Sequence, residues 1–183
     1  MRIIAGKSRG TQLADVGAGD VQAHLRPTSD RVRESLFSML THHNVIQGAR
    51  VLDLFAGTGA LGLEALSRGA HTVVFVENGR VAQKLIGENT KKLRAESETK
   101  LLREDATALS EWKGAPFDLV FLDPPYGKRL GQMALAKARL GGWLTPGAMV
   151  VWEESNAMDA PDGFTRIDKR KYGDTWITLL QLG

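Results

Sequence analysis

The chain has no cysteine among its 183 residues, which excludes a disulfide framework and any thiolate metal site. No apolar run approaches the ~20 residues that a membrane-spanning helix needs. The opening residues, Met1-Arg2-Ile3-Ile4-Ala5-Gly6-Lys7, lack the apolar stretch and cleavage site of a secretory leader. The cytoplasm is the default address. The four histidines show no ligand-like spacing; His42 and His43 are neighbours, which do not share a helix face, so no metal is expected. Internal repeats are absent as well. What remains is ordinary for a folded domain, with 43% hydrophobic and 25% charged residues and a length that favours one core. A formal net charge of +3 says little by itself. Its placement says more: Lys7, Arg9, Arg26, Arg31 and Arg33 precede the first strong strand, and Lys169, Arg170 and Lys171 cluster near the end. Gathered on one rim, these groups would face phosphates.

Periodicity predicts a small hairpin from residues 2–5 and 11–13, then a glycine- and aspartate-rich loop at 15–20. A helix should begin near Thr28, Ser29 or Asp30, each able to cap it. Val32, Leu36, Met39 and Leu40 fall on one face of that helix, which leaves Arg31 and Arg33 directed elsewhere. From Val51 the pattern becomes regular. Strands are expected at 51–55, 72–76, 99–103, 117–122 and 148–152, with helices at 61–67, through Val81, Leu85, Ile86 and Leu93, and at 134–140. Two last strands, 165–170 and 175–181, form a terminal hairpin. Alternating strands and helices imply an α/β fold with a mostly parallel sheet covered on both faces. Residues 1–45 read as an N-terminal extension and 46–183 as the main domain.

Asp53-Leu54-Phe55-Ala56-Gly57-Thr58-Gly59-Ala60-Leu61-Gly62 lies between a strand and a helix. Gly57, Gly59 and Gly62 also satisfy the dinucleotide fingerprint, and Glu77 stands at a suitable distance for a ribose-binding acid. A nicotinamide-binding domain is therefore a rival. Charge separates the two: a carboxylate at Asp53 would repel a pyrophosphate at this helix start but attract the ammonium and sulfonium of S-adenosylmethionine. Glu77-Asn78 ends the second strand, where a carboxylate accepts both ribose hydroxyls. Asp105-Ala106 follows the third, where an acid accepts from the adenine amine. Ligands bind outside the carboxyl ends of parallel strands. Asp53, Phe55, Gly57, Gly59, Glu77, Asn78, Asp105 and Ala106 are the expected cofactor site.

The strongest signal is an apolar strand running into Asp123-Pro124-Pro125-Tyr126. Neither proline has an N–H, and Pro125 restricts Pro124 to an extended conformation, fixing where its carbonyl points. The Asp123 carboxylate and the Pro124 carbonyl can each take one N–H of a base amine and orient its nitrogen. Tyr126 can stack on a base that has left its helix.

At this point the sequence closely resembles a known family, the RsmD-type guanine-N2 methyltransferases of bacterial small-subunit (16S) ribosomal RNA. The resemblance runs through residues 1–7, 26–37 (Arg-Pro-Thr-Ser-Asp-Arg-Val-Arg-Glu-Ser-Leu-Phe), 51–70, 121–126 and 171–175 (Lys-Tyr-Gly-Asp-Thr). It implies the seven-stranded Rossmann-like class I methyltransferase sheet with a reversed last strand and an N-terminal hairpin extension. It also implies S-adenosylmethionine as cofactor, with S-adenosylhomocysteine as product. Asp123, Pro124 and Tyr126 would hold the guanine, while Lys7, Arg9, Arg26, Thr28, Arg31 and Arg33 would meet rRNA, free or in a small-subunit assembly intermediate. A monomer is expected. The Asp-Pro-Pro-Tyr motif is shared with DNA adenine-N6 methyltransferases, which remain an alternative. A nucleic-acid-binding module without catalysis is another.

Overall fold

A computed structural model describes residues 1–15 and 28–183. The loop expected at 15–20 therefore lies, beyond Asp15, outside the described residues, as does Arg26. Helix α1 (Asp30–His42) begins where Ser29 accepts the Val32 N–H on its side chain, satisfying one of the donors that a helix start leaves open. Then follow β1 (Arg50–Leu54), α2 (Ala60–Ser67), β2 (Thr72–Val76), α3 (Arg80–Lys92) and β3 (Thr99–Leu102). After a single 3₁₀ turn (Ala106–Ala108) come β4 (Phe117–Leu122), α4 (Leu130–Leu140), β5 (Leu144–Glu154), β6 (Phe164–Tyr172) and β7 (Thr175–Leu182).

The seven strands form one sheet in the order β3-β2-β1-β4-β5-β7-β6. The first five pair in parallel, and β7 runs antiparallel to both β5 and β6. Strand order reverses between β1 and β4, and such a switch point opens a crevice at the carboxyl ends. The central strands β1, β2 and β4 are largely apolar because both faces are covered. Val51, Val73, Phe75, Leu119 and Phe121 pack with Leu36, Phe37, Leu40, Leu63 and Ile86. The alternate residues Leu52, Val74, Val76, Val120 and Leu122 pack with Leu135, Trp143 and Trp152. Burial on both faces explains why a two-residue alternation is hidden in these strands.

The expected N-terminal hairpin is present as one antiparallel bridge, Arg2 to Gln12, with Ile3 N–H donating to Thr11 O at 3.0 Å. It is fastened to α2 by Glu64, which is fully buried. The Ile4 and Ala5 N–H groups donate to its two oxygens at 2.9 and 3.1 Å, and Arg68 Nε donates at 2.8 Å. Gly6 sits at a positive φ with the Ser67 carbonyl where any Cβ would stand, so the hairpin meets α2 backbone to backbone. Arg33 departs from expectation. It is fully buried, donates to Arg2 O and to Asp30, each at 2.7 Å, and lies 3.7 Å from Glu64. It braces the extension against the domain and is not available for RNA: the helix turn that buries Leu36 and Phe37 buries Arg33 with them.

Candidate active site

Three backbone conformations shape the turn after β1. Phe55, Gly57 and Gly59 have φ of 59°, 58° and 78°. Glycine reaches this left-handed region freely, whereas Phe55 occupies it at an energetic cost, a device concentrated at functional sites. Gly62 matters for another reason. A Cβ there would stand 2.6 Å from the Phe75 ring and 2.7 Å from Val73, so its absence lets α2 lie close on the sheet. That approach brings the Gly62 N–H to Asp53 Oδ2 at 3.0 Å. Glu77 holds the turn from the next strand: its two oxygens accept the Gly57 N–H at 2.9 Å and the Gly79 N–H at 2.7 Å. A carboxylate offers about four lone-pair sites, so both oxygens retain acceptor capacity. Asn78 is exposed beside it. Asp105 caps the 3₁₀ turn, its Oδ1 accepting the Thr107 N–H at 2.8 Å, and Ala106 is buried beneath. The cap engages one oxygen of Asp105 and leaves Oδ2 outside it.

Asp123 follows β4, whose Leu122 pairs with Leu54 of β1. The corner thus stands next to the glycine turn across the switch point. Among the described residues nothing donates a hydrogen bond to the Asp123 carboxylate or to the Pro124 carbonyl. Two acceptors are therefore unclaimed side by side. Pro124 is buried and Pro125 half-buried, which holds the corner rigid. Tyr126 is tethered at its hydroxyl, which donates to Glu153 at 2.9 Å and lies 3.2 Å from Thr175 Oγ1. Glu153 and Glu154, at the end of β5, are both buried. Sequence reading ended this strand at residue 152 and missed them, because an acid pair after an apolar run signals a solvated end.

The site is dense in carboxyl groups. Burial, with a contribution from Glu77, pushes Asp53 up to about 8, against the downward pull of the Gly62 hydrogen bond. Burial also drives Asp123 well above the usual carboxylate range, aided by Glu153, Asp53 and Glu154. Tyr126 is pushed up, mainly by burial and then by Glu153. No Lys, Arg or His among the described residues makes an ion pair with Asp53, Glu77, Asp123 or Glu153. Nor do the described residues hold a group of three or more His, Asp or Glu arranged for a metal ion. Uncompensated carboxylates at a glycine turn suit a cationic ligand and repel a pyrophosphate.

The basic residues expected to meet RNA separate into groups. Thr28 is half-buried and donates to Glu153 at 3.3 Å, which places it at the corner. Arg31 is exposed at the start of α1 and lines a shallow groove of about 490 Å³ with Ser35, His42, His43 and Arg170 of β6. The β6–β7 turn lies at the same end, since Thr175 meets Tyr126. Lys7 lies elsewhere: it pairs with Glu98 at 2.7 Å, just before β3, toward the amino ends of the parallel strands. Arg9 is exposed on the same hairpin tip. These two are not gathered with Thr28 and Arg31. No helix among the described residues is long and apolar enough to cross a membrane.

Comparison with known proteins agrees with this architecture. The family described as Conserved hypothetical protein 95 matches residues 1–181. The ribosomal RNA small subunit methyltransferase D of Haemophilus influenzae is 34% identical over 186 aligned residues, covering 99% of this chain and 93% of that protein. The Escherichia coli protein of the same name is 38% identical, over 84% of this chain and 74% of its own length. The solved structure of the Escherichia coli protein yhhF superimposes with a TM-score of 0.85 at 35% identity, covering 100% of this chain and 97% of that one. The chain therefore belongs to the Conserved hypothetical protein 95 family and shares the α/β methyltransferase fold of its ribosomal RNA small subunit methyltransferase D relatives.

Proposed function

We propose that this protein transfers a methyl group from S-adenosylmethionine to the exocyclic N2 amine of a guanine in small-subunit (16S) ribosomal RNA, in the cytoplasm. The observation that carries the proposal is the pair of unclaimed acceptors, the Asp123 carboxylate and the Pro124 carbonyl, beside the acidic glycine turn. The relatives' names supply the substrate class. Bound there, S-adenosylmethionine would supply an electrophilic methyl group on a positively charged sulfur. Asp53 and the turn at Phe55, Gly57 and Gly59 would hold its methionine part, Glu77 and Asn78 the ribose, and Asp105 and Ala106 the adenine. The lack of compensating cations fits that charge.

A base amine is a weak nucleophile because its lone pair is delocalised into the ring. Asp123 and Pro124 would each accept one N–H and hold the nitrogen in line, so that orientation rather than strong basicity lowers the barrier. As the new bond forms the nitrogen becomes acidic, and Asp123 would stabilise the developing charge. Tyr126 would face the base. Arg31, with the basic β6 strand, would meet phosphates around the corner; Arg33 is excluded by burial.

The test is a methyl-transfer assay with labelled S-adenosylmethionine on unmodified small ribosomal subunits, 16S transcript and duplex DNA, followed by mass mapping of the product. Label at guanine N2 of 16S rRNA is the expected result. Transfer to adenine in duplex DNA alone would replace the proposal with its nearest rival.

A further inference from the structure

Glu153 has no part in the reading above, yet the fold treats it as structure rather than surface. It is 8% exposed, and a carboxylate so placed is costly unless donors meet it. Two do. Tyr126 donates its hydroxyl to Oε1 at 2.9 Å, and Thr28 donates to Oε2 at 3.3 Å. The far side of the Tyr126 hydroxyl meets Thr175 at 3.2 Å. One acceptor-only group thus ties together the loop after β4, the residues leading into α1 and the β6–β7 turn. The partners in these bonds are 27 (Tyr126–Glu153), 125 (Thr28–Glu153) and 49 (Tyr126–Thr175) positions apart, so nothing in local sequence would hold them in register.

We infer that Glu153 is a positioning residue for the base-holding corner, fixing Tyr126 and the Thr28 approach to α1 relative to Asp123. The inference rests on the methyl-transfer reading of that corner and adds to it a residue which touches neither base nor cofactor. The groups facing Asp123 are Glu153, Asp53 and Glu154, with Tyr126 close enough to feel its charge. Neighbouring carboxylates resist joint ionisation. The Tyr126 and Thr28 bonds favour the charged form of Glu153, opposing the burial that raises it, while burial and then the Glu153 charge both raise Asp123. Glu153 therefore both orients the corner and adds to the burial that raises the pH at which Asp123 becomes an effective acceptor.

Two variants separate these effects. Glu153→Gln keeps the shape and an acceptor for Tyr126 but removes the charge. The acidic limb of its kcat/KM profile, on small ribosomal subunits, is expected to move down by about one pH unit. Glu153→Ala releases both hydroxyls, and kcat/KM at neutral pH is expected to fall roughly 10- to 100-fold, with Tyr126→Phe and Thr28→Val each reproducing part of the loss. A direct readout needs no activity: with ¹³Cζ-labelled tyrosine the Tyr126 resonance should shift in Glu153→Ala, while Tyr172 stays put. If that variant fails to fold, Glu153→Gln and Tyr126→Phe carry the test. An unmoved acidic limb in Glu153→Gln, or a Tyr126 resonance indifferent to position 153, overturns the inference. A wild-type protein inactive on every RNA would instead strike the function proposed above, and the tyrosine resonance would still decide whether Glu153 holds Tyr126.

Discussion

Asp53 is held nearly water-free beside Glu77, and its carboxyl titrates near 8. An ordinary aspartate releases its proton near pH 4. Between those values the folded protein holds a proton that the unfolded chain has given up, so stability must fall as pH rises through that window. Asp53→Asn retains an acceptor for the Gly62 N–H and removes the charge. It should raise the melting temperature of the ligand-free protein at pH 8, with little effect at pH 4, in a pH series of thermal melts. A cationic ligand reverses the preference, so S-adenosylmethionine affinity should climb with pH up to about 8 and binding should release a proton. Calorimetry in buffers of different ionisation heat measures that proton directly. Asp123 differs in kind: no donor among the described residues meets its oxygens, so Asp123→Ala should abolish transfer while cofactor affinity measured by calorimetry stays close to wild type. Of these carboxylates, Asp53, Glu77 and Asp123 stood out in the sequence because each stands at a strand end beside a glycine or proline turn, and Asp105 because it follows the third strand. Glu153 was not, since its partners Tyr126 and Thr28 are remote in sequence. Arg33 misled for a related reason: helical periodicity reports which face is apolar, not that an arginine on its edge can be buried beside a glutamate of the next helix.

At the scale of elements, strong apolar runs located β2 and β4 to the residue, and Ser29 marked the start of α1. Weak signals gave weak boundaries. Helix α4 begins at Leu130, four residues before the expected start, because Arg129 enters it in a left-handed conformation and no side chain caps it. Strand β5 runs from Leu144 through Pro146 and Gly147 to Glu154, and those two turn-forming residues disguised its first half. The contact of α2 with the sheet depends on one missing side chain. Gly62→Ala should lower stability by about 1–3 kcal/mol through overpacking against Phe75 and Val73, seen as a lower denaturant midpoint at unchanged slope. It should also weaken cofactor binding, since the same shift moves the Gly62 N–H away from Asp53.

On the scale of the whole molecule, the basic residues among those described do not form one continuous rim. Arg31 shares the corner's end of the sheet with Arg170, whereas Lys7 is paired with Glu98 at the other end. Reversing charge at Arg31 should weaken binding to 16S transcript and reduce the slope of log affinity against log salt by roughly one. Lys7→Glu should do less to both, and filter binding across a salt series distinguishes the two. An equal effect would show that RNA wraps the full height of the domain. Sequence patterning located the strands along the chain, and the rule for parallel sheets pointed to their carboxyl ends as the candidate site. It could not establish which arginines share that end, because only the folded path of residues 1–15 decides it.

The anchoring of Ile4 and Ala5 on Glu64 has a bearing on biogenesis. Their partner lies 60 and 59 positions downstream, so this segment leaves the translating ribosome long before it has anything to bind. Those two donors must wait until α2 has emerged.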